Sequence, residues 1–458
     1  MAAGKGINEV AIPEDFIHRM NVRYGESWTN ALCQALAEEP VASVQLNPLK
    51  AQGRFVEEEV VPWFPHGRYL KERPVFTLDP LYHAGVYYSQ ESSSMFLWHA
   101  LQALPLRAQE DLRALDMCAA PGGKSLILSH FLGQRGVLIA NEISKQRNAI
   151  LVENLLKSGV QNTLVSSAQA ADWGQHHELF DIILVDAPCS GEGMFRKDPQ
   201  ARAEWSLANV ERCAIRQREI LDQLLPALRP GGFLIYSTCT FAASENEDVL
   251  QFVAEHYGFT QIRPDLPADW NIASGEGDPA WGFRFWPDRV KGEGLFMGIL
   301  QAPDHGGAHA KLNQRPKILF PEMDRKLRPV VSKWSAGDSF FMDGRGVCYR
   351  SICPLVELNA MASSIYFTLP GAPLGEIKHN DFIPHHALAL ANTAPLEVPR
   401  VELDLPNALA FLRGETCTVE PGQGWAIAQY QGIALGWLKR MGARMNNYYP
   451  KEWRIRMR

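Results

Sequence analysis

The chain has 458 residues, 46% hydrophobic and 21% charged, and no apolar run approaches the ~18–20 residues that span a bilayer, so roughly two to four globular domains and no membrane segment are predicted. The eight cysteines form no C-x-x-C pair, which argues against a zinc cage, and no other metal site is predicted. Met1–Val10 has no apolar signal core, so a cytoplasmic protein with reduced thiols is expected. The net charge of −6 argues against a uniformly basic nucleic-acid-binding protein.

Residues 1–75 mix short helical and strand-like stretches and form the predicted N-terminal region, which residues 76–303 follow as a second domain. In that domain short β-rich runs alternate with amphipathic helical stretches. The predicted elements are, in chain order, a strand at Leu112–Met117, a helix at Lys124–Leu132, a strand at Gly136–Asn141, a helix from its N-cap Ser144 to Lys157, strands at Thr163–Ser167 and Phe180–Val185, a helix at Asn209–Leu228, a strand at Phe233–Ser237 and a helix at Glu245–His256. Repeated β-α-β units predict an α/β fold with a doubly wound parallel sheet.

The remainder of the chain is predicted to be rich in β-strands. Residues 303–316 have the composition of a linker, and the runs after it are assigned to two small modules, 311–380 and 381–458. The predicted strands are Ser339–Met342, Gly346–Tyr349, Ile365–Leu369, Gly424–Gln429 and Ile433–Leu438. Six Lys/Arg at 311–328 and seven at 431–458 concentrate positive charge here, which suits RNA or, equally, a solvated surface.

A glycine-containing turn, DMCAAPGGKS at 116–125, lies where the first strand of the second domain gives way to a helix. Ligands of doubly wound sheets bind beyond the carboxyl ends of the strands, and glycine lets the backbone approach them closely. Glu142 and Asp186 end two other strands at this edge, and Glu142 can accept both hydroxyls of a ribose. Because the turn lacks the spacing of a phosphate-binding loop, S-adenosylmethionine is favoured over ATP. A structural turn beside surface acids is the alternative.

Two cysteines follow adjacent strands of the same predicted sheet. Cys189 stands in DAPC at 186–189 and Cys239 in STCT at 237–240, so both are expected to face the cofactor crevice. The alternative is that they are inert, as most buried cysteines are. A thiolate that adds to carbon 6 of cytosine makes carbon 5 enamine-like and able to attack a sulfonium methyl group. Asp186 is placed to stabilise this adduct near ring nitrogen 3, and a second thiol can assist its release.

At these residues the chain resembles the Sun/Nol/Nop (RsmB/NOP) family of RNA cytosine-5 methyltransferases. The matching segments are GVYYSQESSSMFL at 85–97, DMCAAPGGKS at 116–125, DAPCSGEGMFRKDP at 186–199, YSTCTFAASENE at 236–247 and GEGLF at 292–296. The segment LGWLKRMGARMNNYYPKEWRIR at 435–456 resembles the end module of the bacterial RsmF-type branch, which methylates small-subunit ribosomal RNA.

The resemblance implies a Rossmann-like class I methyltransferase domain, an RRM-like N-terminal region and a PUA-like C-terminal module. It makes Cys239 the nucleophile and Cys189 the release cysteine, with Asp186 near both base and cofactor. Glu142 would hold the ribose, and the remaining cofactor contacts would be Cys118, Ala119, Ala120, Pro121, Gly122, Gly123 and Lys124.

Three positions depart from the family pattern. Gln169 stands where an acid often meets the adenine side of the cofactor, with Asp172 three residues on. Gln45 stands where Arg is common, so one RNA phosphate contact is expected to be missing or supplied elsewhere. Asp288 stands where His is common, with no effect assigned.

The predicted partner is RNA, either ribosomal RNA or the small ribosomal subunit, and the predicted assembly is a monomer. Three basic residues after the Cys189 loop, Arg196, Lys197 and Arg202, are candidates for phosphate contacts or plain surface charge. The alternatives are the same chemistry on tRNA, methylation of an exocyclic amine, and a ribosome-assembly factor that binds RNA without catalysis. The exocyclic-amine motif is absent at 186–189, and the intact cysteines argue against a non-catalytic factor.

Overall fold

The computed structural model describes residues 11–50, 53–106, 111–305, 316–337, 339–378, 381–391 and 397–457. Its N-terminal region comprises α1 (Glu14–Tyr24), α2 (Glu26–Ala37), β1 (Ser43–Leu46), β2 (Gly67–Tyr69), α3 (Pro80–His83) and β3 (Tyr87–Ser89). The three strands form an antiparallel sheet in the order β2-β1-β3. The helix pair packs through Phe16 and Leu32 onto Phe195, Trp205 and Phe241 of the next domain, so this region is positioned by apolar contacts.

The second domain is an α/β unit that follows a short α4 (Leu97–Gln102). Its elements are β4 (Arg113–Asp116), α5 (Gly123–Leu132), β5 (Val137–Asn141), α6 (Lys145–Ser158), β6 (Thr163–Ser167), α7 (Ala170–Gly174), β7 (Phe180–Asp186), α8 (Pro199–Glu204), α9 (Leu207–Leu224), β8 (Leu228–Thr238), α10 (Glu247–Tyr257), β9 (Thr260–Gln261), β10 (Ala273–Ser274), β11 (Phe283–Phe285) and β12 (Leu295–Gln301). Strands β4 to β8 are mutually parallel and β12 runs antiparallel beside β8.

Strand β7 shows why the sheet is covered on both faces. Alternate side chains of a strand point to opposite faces, and Ile183 and Val185 enter one apolar cluster while Ile182 and Leu184 enter another. The continuous apolar run that predicted this strand is therefore explained by burial on two sides, and the predicted doubly wound sheet is confirmed.

The predicted helix at Asn209–Leu228 is wrong at its C-terminal end. Helix α9 stops at Leu224 and Leu228 already belongs to β8, where it pairs with Phe180 of β7. The Pro-Gly-Gly at 230–232 resembles a helix stop, but these residues lie inside the strand, and Gly232 accepts a 2.9 Å hydrogen bond from the amide of Ala302. Long-range pairing thus overrides the local turn signal.

The C-terminal part comprises α11 (Arg328–Val331), β13 (Phe340–Met342), β14 (Val347–Arg350), α12 (Leu355–Ala362), β15 (Tyr366–Leu369), β16 (Ala372–Lys378), β17 (Asp381–Pro384), α13 (His386–Leu390), β18 (Arg400–Glu402), α14 (Leu405–Arg413), β19 (Gly422–Tyr430), β20 (Ile433–Gly442) and β21 (Arg444–Asn447). Two four-stranded sheets form, in the orders β13-β14-β16-β17 and β18-β19-β20-β21. Strand β15 instead pairs antiparallel with β6 at the edge of the central sheet, because Phe367 and Leu369 bury in that sheet's core. No helix in these ranges is long and apolar enough to cross a membrane.

Candidate active site

The loops that follow β4, β5, β7 and β8 meet at one edge of the sheet and line an open cleft of about 870 Å³. Six predicted site residues line this cleft together: Cys118, Glu142, Gln169, Asp186, Cys189 and Cys239. Its volume lies near the upper end of the roughly 300–1,000 Å³ of small-molecule pockets. The cleft is therefore large enough for a nucleoside cofactor.

The predicted cofactor turn is held in place from both sides. Ser125 Oγ donates a 2.7 Å hydrogen bond to the buried Asp116 carboxylate, which ties α5 to β4, and burial raises the pKa of Asp116 to about 7. Gly122 has a φ of 115°, a conformation that favours glycine. Arg147 and Asn154 of α6 donate to the carbonyls of the second alanine and the proline, at 2.6 and 2.8 Å.

The turn residues do not all reach the cleft. Cys118 lines it, while the segment Ala119, Ala120, Pro121, Gly122 and Gly123 lies outside its lining. A Cβ added to Gly123 would lie 3.0 Å from the Gln90 side chain, so this glycine serves close packing against the N-terminal region. Gln45 contributes to the same contact, because its buried amide donates 2.9 Å to the Gly123 carbonyl. At Gln45, where a phosphate contact was expected to be missing, the side chain makes this structural contact instead.

Glu142 is positioned at the end of β5 by its neighbours. Its carboxylate accepts 2.8 Å from the amide of Ser144 and lies 3.3 Å from the Arg147 guanidinium, and its side chain is only 4% exposed. Asn141, one residue earlier, was not predicted as a site residue. Its amide oxygen accepts from Ser166 Oγ at 2.8 Å, and its amide nitrogen donates to the Met117 carbonyl at 3.1 Å. Asn141 therefore ties the ends of three strands together beneath the cleft.

Gln169 lines the cleft, whereas Asp172 caps a helix. The side chain of Asp172 accepts 2.9 Å from the amide of Gln169, and the Gln169 side chain accepts in turn from the Asp172 amide. This reciprocal arrangement is a capping box at the start of α7. Of the two candidates for the adenine side of the cofactor, Gln169 is the residue at the cleft.

The two cysteine sulfurs lie 3.2 Å apart. A hydrogen bond with Cys239, together with burial, raises the pKa of Cys189 well above its ordinary value. Beside them Lys124 Nζ lies 2.9 Å from Asp186 Oδ2, and Ser237 Oγ donates 2.7 Å to Asp186 Oδ1. Burial alone would lower the pKa of Lys124, but Asp186 and the nearby Cys239 raise it, so an ammonium stays next to the thiols.

Glu245 joins the two cysteine loops and was missed by the motif analysis. Its carboxylate accepts from Ser190 N at 2.9 Å and Ser190 Oγ at 2.5 Å, from Gln217 at 3.0 Å and from Thr240 Oγ1 at 3.3 Å. Ser190 follows Cys189 and Thr240 follows Cys239, so one buried carboxylate fixes both loops. Burial raises its pKa to about 7.

Two of the three predicted phosphate ligands are engaged inside the protein. Arg196 is 3% exposed and donates to the carbonyls of Ala35 and Gly292, at 2.9 and 3.1 Å. Arg202 is half-buried and donates 2.6 Å to the Phe195 carbonyl. Arg196 is therefore neither an exposed phosphate ligand nor a surface charge, and it joins the N-terminal region to the loop that follows Cys189. Lys197 keeps 32% of its side chain exposed.

A parallel Rossmann-like sheet with this cofactor turn, acid and cysteine pair at its carboxyl edge defines a class I S-adenosylmethionine-dependent methyltransferase. The model of the 16S rRNA methyltransferase RsmB/F family matches residues 103–301. The models of the RsmF N-terminal domain and the RsmF PUA domain match residues 12–92 and 398–455.

Similar proteins cover most of the chain. Ribosomal RNA small subunit methyltransferase F of Shewanella loihica is 31% identical over 86% of this chain and 83% of its own length. The protein of the same name in Aeromonas salmonicida is 31% identical over 96% and 97%. A methyltransferase homologue from Pyrococcus horikoshii has a TM-score of 0.53 at 25% identity, over 64% of this chain and 96% of its own. NSun6 of that organism, with a TM-score of 0.54 at 21% identity over 64% and 99%, shares the fold. The chain belongs to the 16S rRNA methyltransferase RsmB/F family.

Proposed function

We propose that this protein methylates carbon 5 of a cytosine in small-subunit (16S) ribosomal RNA through a transient bond between Cys239 and the base. The observation that supports this most is the pair of thiols 3.2 Å apart in the cofactor cleft, beside the Asp186–Lys124 ion pair. Methylation of an exocyclic amine needs no thiol, so that reaction would not explain why one buried acid holds two cysteine loops together.

Each side chain has a role in this reaction. The thiolate of Cys239 adds to carbon 6 of the base, and the thiol proton passes to ring nitrogen 3 through Asp186. Lys124 holds the Asp186 carboxylate at 2.9 Å and places a positive charge beside the thiols. Once carbon 5 carries the methyl group, a base removes its proton, the 5,6 double bond re-forms and the bond between carbon 6 and Cys239 breaks, with Cys189 assisting this release.

S-adenosylmethionine fits the residues at the other end of the cleft. Glu142 would hold the ribose, Cys118 would contact the amino-acid part with residues 119–124 of the turn holding it in place, and Gln169 would meet the adenine side. When bound, this cofactor supplies an electrophilic methyl group on a sulfonium.

The substrate assignment follows the names of the relatives, and the PUA domain match at 398–455 supports contact between the C-terminal module and RNA. We also propose that the protein acts as a monomer in the cytoplasm, where ribosomal RNA is modified. Its proposed domains are the N-terminal region, the methyltransferase domain and two C-terminal modules, with the first boundary after β3 and the last after β17, because each of these strands pairs within the sheet that precedes the boundary.

Methyl incorporation from labelled S-adenosylmethionine tests the proposal directly. Protein-free 16S rRNA, assembled small subunits and tRNA should be compared, with bisulfite sequencing of the labelled RNA. We expect 5-methylcytosine in ribosomal RNA and none in tRNA. Label confined to tRNA would move the same chemistry to another substrate, and label on an exocyclic amine would refute the mechanism.

A further inference from the structure

A second cleft, of about 660 Å³, opens at the opposite edge of the central sheet. We call it the rear cleft. It lies between the loops that precede β5 and β6 and the segment 332–336 of the C-terminal part. Its lining includes Gln134, Gln161, Ser332, Lys333, Trp334 and Arg350. The catalytic cleft lies at the carboxyl ends of the strands, so the two clefts are distinct.

The rear cleft carries positive charge, and the residues described along its lining include no acid. Arg350 is half-buried, its guanidinium donates 3.0 Å to Gln161 Oε1, and it forms no ion pair with any residue that the structure describes. Burial lowers the pKa of Arg350, as expected for a guanidinium removed from water without a carboxylate. Lys333 is exposed at the rim, and the described part of the lining contains no Asp or Glu. A guanidinium in such a place favours an external anion.

The rear cleft also offers an aromatic wall. The Trp334 ring packs edge-on to Trp437 at 5.7 Å and against Phe382 at 5.2 Å, which fixes its orientation. Trp334 remains half-buried and lines the cleft. A fixed indole beside a guanidinium suits a base stacked next to its phosphate, the arrangement by which proteins hold unpaired nucleotides.

We propose that the rear cleft binds a single-stranded stretch of the substrate RNA, with a phosphate on Arg350 and Lys333 and a base against Trp334. Gln134 and Ser332 supply further hydrogen-bond donors at the rim. The cleft is larger than one small anion needs and lies within the roughly 300–1,000 Å³ range of pockets for small organic ligands, which suits a base together with its phosphate. This inference rests on the proposed function, because it takes RNA as the substrate.

The position of the rear cleft has a consequence for the substrate. RNA that fills both clefts must present two separate segments, one at each edge of the sheet. A large folded RNA can do this and a short hairpin cannot. Loss of the rear contact should therefore weaken binding of the long RNA without slowing the chemical step.

The test uses the full-length protein and an in vitro transcript of 16S rRNA. Arg350→Gln and Lys333→Glu, singly and together, should raise the Kd about fivefold to twentyfold while kcat at saturating RNA and the Kd for S-adenosylmethionine stay unchanged. Each lost phosphate contact should lower the slope of log Kd against log salt by roughly 0.7. Lys378→Glu, an equal charge change at an exposed lysine outside both clefts and outside the RRM-like N-terminal region, is the matched control.

Photo-cross-linking of a transcript that contains 4-thiouridine should label the peptide that carries Trp334. Unchanged affinity in the Lys333→Glu variant, whose exposed side chain leaves folding intact, would overturn the inference. So would weakened binding to assembled subunits but not to the transcript, since that pattern indicates a protein partner. Because binding is measured apart from methyl transfer, a wild-type protein that binds the transcript without methylating it would refute the proposed function alone.

Discussion

Glu245 shows how one residue organises the site without touching substrate. It is fully buried, and its carboxylate accepts hydrogen bonds from Ser190, Gln217 and Thr240. Removing such a buried acceptor is costly, because the donors that it served lose their partner without regaining water.

Glu245→Ala should lower kcat by tenfold or more, since a ~1 Å displacement of a reacting group can cost roughly a hundredfold in rate. The change removes the acceptor shared by Ser190, Gln217 and Thr240 and lets the Cys189 and Cys239 loops move apart. Glu245→Gln should retain most activity, because its amide oxygen can accept from the Ser190 and Gln217 N–H groups while its nitrogen donates to the hydroxyl oxygens. The affinity of both variants for S-adenosylmethionine, measured by calorimetry, should stay unchanged, and Glu255→Ala, an exposed change on the neighbouring helix, serves as control. Full activity of Glu245→Ala would remove the positioning role.

Because burial raises the pKa of Asp116, the free energy of unfolding is expected to depend on pH. Burial raises its pKa from 3.8 to about 7, so the folded state binds more protons than the unfolded state between these values. The resulting stabilisation is fully present below pH ~4 and is lost as the pH rises through about 7. At 1.36 kcal/mol per pKa unit the loss is up to about 4 kcal/mol.

Asp116→Asn should flatten this part of the curve. Thermal unfolding between pH 5 and pH 8 measures it, with Asp111→Asn at an exposed position as control. A slope that Asp116→Asn leaves intact would assign the pH dependence to another group.

At the scale of elements, local patterns located most strands and helices of the second domain. Strand β6 was predicted at its observed bounds, and Ser144 caps α6 as expected, accepting from the Arg147 amide. The predictions differ from the structure where a strand pairs with a partner far away in the sequence. Strand β8 starts earlier than predicted because it pairs with β7, and β15 joins the central sheet because it pairs with β6. Neither partner is visible in a local window.

The site was predictable to the extent that its residues stand at strand ends. Periodicity located the strands, and the motifs between them gave Cys118, Glu142, Asp186 and the two cysteines. The supporting residues Asn141 and Glu245 were not predictable, because their partners come from other strands and helices. Arg196 was misjudged for the same reason, since its carbonyl partners lie far away in sequence.

The short turn at Glu192–Met194 connects the two cysteine loops at the level of the backbone. Gly193 donates 2.8 Å to the Cys239 carbonyl, and a Cβ there would lie 2.7 Å from the Gly294 carbonyl oxygen. Gly193→Ala should displace the loop and lower kcat by about tenfold or more. Single-turnover methyl transfer measures this, and Gly344→Ala, where a Cβ meets nothing within 4 Å, is the control. Equal rates in both variants would contradict the coupling.

At the scale of the whole molecule, the N-terminal region and α6 are joined by buried polar contacts. Asn47 donates to the carbonyls of Gly85 and Ser158, at 2.9 and 2.8 Å. The ammonium of Lys50 donates to the carbonyls of Ala84 and Lys157, at 3.0 and 3.1 Å, and burial lowers its pKa to about 7. This junction holds the region that packs behind the cofactor turn.

Asn47→Ala removes two of these hydrogen bonds and should lower the free energy of unfolding by about 1–3 kcal/mol. Denaturant unfolding followed by tryptophan fluorescence measures the loss. Gln251→Ala, at an exposed position on α10, should change stability far less. A stable Asn47→Ala variant would show that apolar packing alone holds the junction.

Whether Cys239 forms a covalent bond with the RNA can be tested directly on a denaturing gel. Wild-type protein, Cys189→Ala and Cys239→Ala should each be incubated with 16S rRNA and S-adenosylmethionine and run on a denaturing gel. Cys189→Ala should accumulate a protein–RNA adduct, whereas Cys239→Ala should form none and transfer no methyl group. An adduct that persists in Cys239→Ala and disappears in Cys189→Ala would contradict the assignment of Cys239 as the nucleophile.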